Sequence, residues 1–327
     1  MNVYLGIDVG SVTTKLAVLD EQDRFIVSRY LRTMGQPVNA VQQGLMDIGE
    51  QLPDGAEVRG VGTTGSARYL AGVVVGADVI KNEITSHALA ALQYVPRVRT
   101  VIEIGGQDSK FIMLREGAVT DFGMNTVCAA GTGSFLDHQA LRLNVSIEEV
   151  GPRALLSRNP VRIGGRCTVF AESDMVHKQQ MGHGLDDILR GLCEALVRNY
   201  LNNVGLGRDI VPPVVFQGGV AFNKGIVQAL ADALDTEIIV PSHHEAMGAI
   251  GVALLAHEEM ESGAESRFKG FAISEACYSI ASLECEACSS LCEIAQISLD
   301  GEILACWGGQ CDLWERSSTQ VGEGAVR

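Results

Sequence analysis

The sequence predicts an α/β protein of two similar halves followed by a small cysteine-rich C-terminal module. Three observations carry this expectation. Strand and helix signals alternate along most of the chain. Two strand–turn–strand units, Val3–Leu19 and Val101–Leu114, each place an Asp and glycines between apolar strands, which suggests an internal duplication. Six of the nine cysteines crowd into the last 51 residues, beyond a charged, Ser- and Gly-containing stretch, Glu258–Lys269, that reads as a linker.

The elements follow in order. Val3–Val9 is a short apolar strand; Lys15–Leu19 and Phe25–Tyr30 continue it as a β-meander across a turn at Asp20–Asp23. Val38–Leu52 has helical spacing, with Val41, Leu45 and Ile48 on one face. Val58–Val61 is a strand and Ile84–Leu92 an Ala-rich helix. Thr100–Ile104 and Lys110–Leu114 are strands around a Gly-Gly turn. Helices are expected over Gly133–Leu143, Val169–Met181 and Ile188–Val204, strands at Val214–Phe216 and Ile238–Val240, and a closing helix at Ala246–Ala256. A small hairpin, Ile294–Ile303, turns at Asp300-Gly301.

Composition limits the function. The 327 residues carry 25 Lys and Arg against 40 Asp and Glu, a net charge of −15. Such a chain lacks the clustered cations that displace counterions from nucleic acid or bind an anionic membrane surface. No apolar run reaches the roughly 20 residues of a membrane-spanning helix. The N-terminus starts as a strand rather than a signal peptide, so a cytoplasmic protein is expected. The cysteines then read as thiols, metal ligands or redox centres rather than disulfides.

Several turns bear chemistry. In Gly6-Ile7-Asp8-Val9-Gly10-Ser11-Val12-Thr13-Thr14-Lys15, a tight turn exposes backbone N–H groups that can cradle a phosphate. Ser11, Thr13 and Thr14 add hydroxyls, Lys15 adds charge, and Asp8 can hold hydrated Mg²⁺. Glu103-Ile104-Gly105-Gly106-Gln107-Asp108-Ser109-Lys110 repeats the arrangement; Asp108 can bind Mg²⁺ or orient a water, and Gln107 can orient a water. Downstream lie Gln217-Gly218-Gly219-Val220-Ala221-Phe222-Asn223 and Glu245-Ala246-Met247-Gly248. These four stretches resemble, in order, the phosphate-1, phosphate-2, adenosine and second connecting motifs of the actin, heat-shock chaperone and sugar-kinase ATPases. That resemblance implies two ribonuclease-H-like subdomains, 1–115 and 116–257, closing over Mg-ATP or ADP. It implies nucleotide contacts at Gly10, Val12, Gly105, Gly106, Gly218, Gly219, Asn223, Glu245 and Gly248, with Asp8 and Asp108 at the Mg-phosphate.

Two further motifs place a cysteine before a helix: Asn125-Thr126-Val127-Cys128-Ala129-Ala130-Gly131-Thr132-Gly133-Ser134-Phe135 and Gly164-Gly165-Arg166-Cys167-Thr168-Val169-Phe170. A helix start presents free N–H groups and partial positive charge, which favour a thiolate and a negatively charged centre. Two thiolates are too few for a four-cysteine cluster, but two copies of the chain supply four. Spacing alone is met equally by two buried cysteines beside turns. With Lys81–Ala88 (KNEITSHA), these motifs resemble the ATP-dependent activators of (R)-2-hydroxyacyl-CoA dehydratases and the ATPase subunits of benzoyl-CoA reductases, from about Val3 to Ala256. The resemblance implies a homodimer in which Cys128 and Cys167 hold one bridging [4Fe–4S] cluster. It implies that ATP hydrolysis drives delivery of a low-potential electron to a partner iron–sulfur dehydratase, reductase or double-cubane protein. Gly131, Thr132 and Gly133 join the expected nucleotide-binding residues.

The tail departs from the minimal activators. Cys285-x₂-Cys288-x₃-Cys292 and Cys306-x₄-Cys311 are spaced for Zn²⁺ or a second Fe–S cluster within a 270–327 module; a cluster would be an entry port for ferredoxin or flavodoxin. Cys193 and Cys277 read as ordinary thiols. Two rival functions remain at this level: a sugar-type small-molecule kinase with Asp108 as base, and a nucleotide-gated scaffold with a zinc docking module.

Overall fold

A computed structural model of the chain describes residues 1–125, 128–311 and 314. Thr126 and Val127 of the first cysteine motif, Asp312, and the end of the 270–327 module lie outside the described residues. The first half runs β1 (Asn2–Val9), β2 (Thr13–Asp20), β3 (Phe25–Arg32), α1 (Pro37–Gly49), β4 (Glu57–Thr64), α2 (Arg68–Val75), β5 (Val79–Ile80) and α3 (Glu83–Tyr94). The second runs β6 (Thr100–Ile104), β7 (Ser109–Arg115), β8 (Ala118–Asn125), α4 (Gly133–Arg142), α5 (Ile147–Ala154), α6 (Thr168–Gln180), α7 (Leu185–Asn203), β9 (Val214–Gln217), α8 (Lys224–Leu234), β10 (Ile238–Ile239) and α9 (Met247–Met260).

The two sheets have one topology. The first is ordered β3-β2-β1-β4-β5 and the second β8-β7-β6-β9-β10. In each, the first three sequential strands pair antiparallel and the last two add in parallel. The duplication extends to the turns, since Gly10 N–H donates to Thr13 O at 2.9 Å and Gly105 N–H to Asp108 O at 3.0 Å.

Strand alternation sorts the side chains. Leu5, Ile7, Leu16 and Val18 form an outer core with α1 and α2. Ile102, Ile104, Phe111 and Phe216 do the same with α4, α5, α7 and α8. A third core lies between the sheets, where Ile84, Ala88 and Ala91 of α3 meet Val101, Ile112 and Val215, and Ala249, Ile250 and Ala253 of α9 meet Ala17 and Leu19. The closing helix α9 thus packs on the first sheet. It is apolar all round, as a helix buried on every side must be.

Close approach sets the spacing of this inner core. A Cβ on Gly6 of β1 would stand 1.8 Å from the Ala249 carbonyl oxygen, and one on Gly251 of α9 1.8 Å from that of Ser86 in α3. Local signals fix the ends: the Asn82 side chain accepts the Thr85 N–H at 2.9 Å to cap α3, and Ser146 and Glu149 form a capping box on α5.

Beyond α9, residues 264–269 lie against the first half, with Ser266 Oγ donating to Asp78 Oδ2 at 2.7 Å and Lys269 N–H to Val75 O at 3.0 Å. A three-stranded antiparallel sheet follows: β11 (Tyr278–Glu284), β12 (Glu293–Leu299) and β13 (Glu302–Trp307). Ile297 and Ala305 join the outer core of the first half. The tight turn of the expected hairpin is present, with Asp300 and Gly301 at φ +50° and +86°. Six elements had no sequence expectation: α2, β5, β8, α5, α8 and β11. Among the described residues, no helix is long and apolar enough to cross a membrane.

Because Gly251 has no room for a methyl group, Gly251→Ala should force α3 and α9 apart. Overpacking of this kind costs about 1–3 kcal/mol. Thermal unfolding should show a lower Tm than wild type; an unchanged Tm would mean that the two helices do not set the spacing of the halves.

Candidate nucleotide cleft and cysteine loops

Alternation aims Asp8, Lys15, Glu103 and Lys110 into the gap between the sheets, at the ends of β1, β2, β6 and β7. The cleft there is lined by Asp8, Gly10, Ser11, Val12, Thr13 and Lys15 from one half, and Glu103, Gly105, Gly106, Gln107, Asp108 and Lys110 from the other. Glu83 and His87 of α3 close its floor. The two turns touch, with Val12 packed where a Cβ on Gly106 would be.

Each half contributes an acid–lysine pair at the same register: Asp8 opposite Lys15, and Glu103 opposite Lys110. Lys15 Nζ is 3.2 Å from Asp8 Oδ2, while Lys110 Nζ is 2.9 Å from Glu103 Oε2 and 2.8 Å from Asp108 Oδ2. The structural counterpart of Asp8 is therefore Glu103, and Asp108 occupies the position of Thr13. Glu103 and Lys110 were missed as site residues. The signal was present as an acid followed seven residues later by Lys in both units.

The two carboxylates differ in state. Burial pushes the Asp8 carboxyl up, but Lys15 and its neighbours outweigh this and hold it below the ordinary range. Burial pushes Glu103 up to about 7, against the pull of Lys110 and with the help of Asp108. Burial lowers His87 to about 4, so its ring is neutral at physiological pH. Gln217 Nε2 donates to His87 Nδ1 at 2.9 Å, tying β9 to α3 under the cleft.

Other expected residues back the cleft. Gly218, at φ +92°, has the Ile104 carbonyl 2.5 Å from where its Cβ would be, and its N–H donates to His244 O at 2.8 Å. A Cβ on Gly219 would meet the Tyr30 hydroxyl at 2.9 Å, and one on Gly248 would meet Asp8 Oδ2 at 2.6 Å. Asn223 caps α8 by accepting the Ile226 N–H at 3.1 Å. Glu245 follows His244, its carboxylate 3.9 Å from the ring Nδ1. Thr14 does not reach the cleft: strand alternation turns it to the opposite face, where its hydroxyl bonds that of Thr33 at 3.0 Å. Gly131 and Thr132 are not among the residues lining the cleft. They shape the start of α4, with Thr132 Oγ1 donating to Ala129 O at 2.8 Å.

The cysteine loops connect to this cleft. Cys128 precedes a short 3₁₀ turn, Ala129–Gly131, and α4; Cys167 is the N-cap of α6. Both are half-buried. Asn125 brackets Cys128, donating to its carbonyl at 2.8 Å and accepting its N–H at 3.0 Å. Asn199 of α7 donates to Gly165 O at 2.5 Å, and its Oδ1 fills the space beside Gly131, so one side chain joins both cysteine segments. At the start of α4, the Gly133 N–H donates to Gly105 O and the Ser134 N–H to Gly106 O, each at 2.8 Å. Ser134 Oγ adds a bond to Gly106 O at 2.5 Å. Cys193 is fully buried in apolar surroundings, which push its thiol up to about 12, as an inert core cysteine requires.

A carboxyl whose folded pKa stands above its unfolded value of 4.5 stabilises the fold below that value and loses the contribution as pH rises through about 7. Glu103→Gln, which keeps the shape and stays neutral, should therefore gain on wild type between pH 5 and pH 8. Tm curves against pH should diverge over that window; parallel curves would show that Glu103 titrates normally.

Residues 5–256 match the sequence pattern of the BadF/BadG/BcrA/BcrD ATPase family. The chain is 34% identical over 260 residues to a 2-hydroxyisocaproyl-CoA dehydratase activator of Clostridioides difficile, covering 78% of this chain and 95% of that one. It is 35% identical over 267 residues to the (R)-2-hydroxyglutaryl-CoA dehydratase activating ATPase of Acidaminococcus fermentans, over 79% and 99%. A solved structure of the 2-hydroxyisocaproyl-CoA dehydratase activator from Clostridium difficile with bound ADPNP has a TM-score of 0.71 at 33% identity, covering 80% of this chain and 96% of that one. The α/β ATPase fold expected from the motifs is the one observed, and the chain belongs to the BadF/BadG/BcrA/BcrD ATPase family.

Proposed function

We propose that this ATPase is a reductive activator: a homodimer that couples ATP hydrolysis to one-electron reduction of a partner iron–sulfur dehydratase or reductase, with ferredoxin or flavodoxin as donor. One observation carries the reading. The phosphate turn at Gly105–Gly106 is hydrogen-bonded to the first two residues of α4, five and six positions after Cys128. A turn that follows the γ-phosphate and a loop that bears a thiol then shift together.

The donor set fits a bridging [4Fe–4S] cluster. Cys128 and Cys167 are half-buried thiols at helix starts, and Ala129, Val169 and Phe170 beside them are exposed. Apolar side chains left open around two thiols suit a face that a second copy covers. Bound there, the cluster would supply a one-electron redox centre. Asn125 and Asn199 hold the two loops in register, and the N–H groups at the start of α6, which Cys167 caps, offset negative charge.

In the cleft, Asp8 and Asp108 would hold hydrated Mg²⁺. Lys15 and Lys110 neutralise phosphate charge, and Gln107 and Asp108 position the attacking water. His87, neutral and fixed by Gln217, adds a hydrogen-bonding group without adding charge. Val12 against Gly106 makes each turn a sensor of the other.

Protein purified without oxygen should be brown and carry about two iron atoms per chain from the shared centre, half of a four-iron cluster. Cys128→Ala should lose that iron and the electron transfer yet bind ATP as wild type does; colourless wild-type protein that binds ATP normally would overturn the reading. Ser134→Ala removes one bond between the phosphate turn and α4, worth about 1 kcal/mol. It should leave the ATPase rate close to wild type and lower the number of electrons delivered per phosphate released; an unchanged ratio would show that coupling does not run through α4.

A further inference from the structure

The cysteine-rich tail lies beyond the family match, which ends at residue 256, and the structure gathers its thiols at one end of the β11–β12–β13 sheet. Glu284 pairs with Glu293, so Cys285 and Cys292 face each other across the mouth of the β11–β12 loop, with the Cys285 N–H donating to Cys292 O at 2.8 Å. Cys288 lies within that loop. The loop folds back through Leu291, whose φ is +44° and whose N–H bonds Cys288 O at 3.4 Å. The N–H and hydroxyl of Ser290 hydrogen-bond the Cys288 sulfur and fix it within the loop.

Cys306 reaches the same end from β13, which runs antiparallel to β12 and leaves the sheet at Trp307, beside Ala295. The chain then turns over the start of β12. Gly308, at φ +107°, sits where a Cβ would be 2.4 Å from the Glu293 carbonyl oxygen, and Gly309 lies near Ile294 and Trp314. Cys311 follows two residues later.

What holds this end together is chemically unusual. Ile297 and Ala305 pack against the first half. At the cysteine end the buried cluster is Cys285, Ile294 and Cys306, with Leu283, Cys292 and Trp314 packed against it. One isoleucine and two thiols are a small apolar nucleus for a projecting sheet end, and small modules of this kind depend on metals or disulfides. The nine cysteines are all free thiols.

We propose that Cys285, Cys288, Cys292, Cys306 and Cys311 form a thiolate-only metal centre, four of the five ligating either one Zn²⁺ or an iron–sulfur cluster. Among the described residues no three His, Cys, Asp or Glu side chains are already arrayed to hold a metal ion. Closing the site therefore takes movement of thiols around Cys285, Cys292 and Cys306, which already share one cluster. No histidine falls between residues 258 and 327, so the ligand set is sulfur alone, the chemistry that selects zinc or iron–sulfur over harder cations.

The test uses the full chain with Cys128→Ser and Cys167→Ser, so that iron at the bridging site cannot contribute. It is produced anaerobically with zinc and iron both supplied, then assayed for metals and acid-labile sulfide. About one zinc per chain without sulfide identifies a mononuclear site. Iron with matching sulfide identifies a cluster and a second redox centre. Adding Cys285→Ser and Cys288→Ser should remove whichever is found. On the wild-type chain, iodoacetamide labelling should reach four of the five tail thiols only after a chelator, while the fifth and exposed Cys277 label in both conditions. Absence of bound zinc and iron, or metal that survives Cys285→Ser and Cys288→Ser, or tail thiols that label equally without chelator, would overturn the proposal. It is independent of the activator reading: a wild-type chain without bridging iron leaves the tail result standing, and the reverse also holds.

Discussion

The hydrogen bonds from Gly133 and Ser134 to the carbonyls of Gly105 and Gly106 are the constraint on which the rest of the molecule turns. A helix start has N–H groups with no partner inside the helix. Here two of them are satisfied by the carbonyls of the Gly105–Gly106 turn rather than by a capping side chain. The choice forbids independent movement. If Gly105–Gly106 shifts with the nucleotide, α4 follows or two buried donors lose their acceptors, at about 1–3 kcal/mol each. Cys128 lies just ahead of that helix, bracketed by Asn125. Asn199 then carries the constraint to Gly165 and so to Cys167.

The duplicated fold makes this possible and also breaks its own symmetry. Asp8–Lys15 and Glu103–Lys110 occupy the same register in sheets of the same order. In the first half the lysine has one acid, and the carboxylate stays ionised. In the second half Lys110 serves both Glu103 and Asp108, so one positive charge faces two buried or half-buried acids. Burial then tips Glu103 towards its neutral form. One side of the cleft thus holds fixed negative charge, while the other can change its charge near neutral pH. Two copies of one motif differ in state because burial raises Glu103 and Asp108 adds to that effect.

Much of this was legible in the sequence, for physical reasons. Strands such as β1 and β6 are apolar runs bounded by glycine turns, and the helix motifs carry a 3.6-residue period. The phosphate turns show themselves because only small residues allow backbone to approach a ligand. What was not legible depends on tertiary context. β5 is two residues long in the structure and has no period of its own. β8 is an exposed edge strand, so its side chains show no apolar alternation. Thr14 belongs to a motif whose neighbours enter the cleft, yet alternation turns it towards Thr33. Glu103 was overlooked because Asp108 is the more obvious acid in the same turn; the seven-residue spacing to Lys110 marks it only once the two sheets are aligned.

The inner core is what joins the two halves. α3 packs on the second sheet and α9 on the first, and the helices cross where Gly251 meets the backbone of Ser86. Around this contact of backbone on backbone, Ile84, Ala88 and Ala91 of α3 and Ala249, Ile250 and Ala253 of α9 fill the same apolar cluster. His87, the residue after Ser86, bonds Gln217 and links α3 to the end of β9 under the candidate cleft. The crossing and the apolar clusters around it therefore tie the cleft to both sheets, and both cysteine segments are anchored on the second of them through Asn199 and the start of α4.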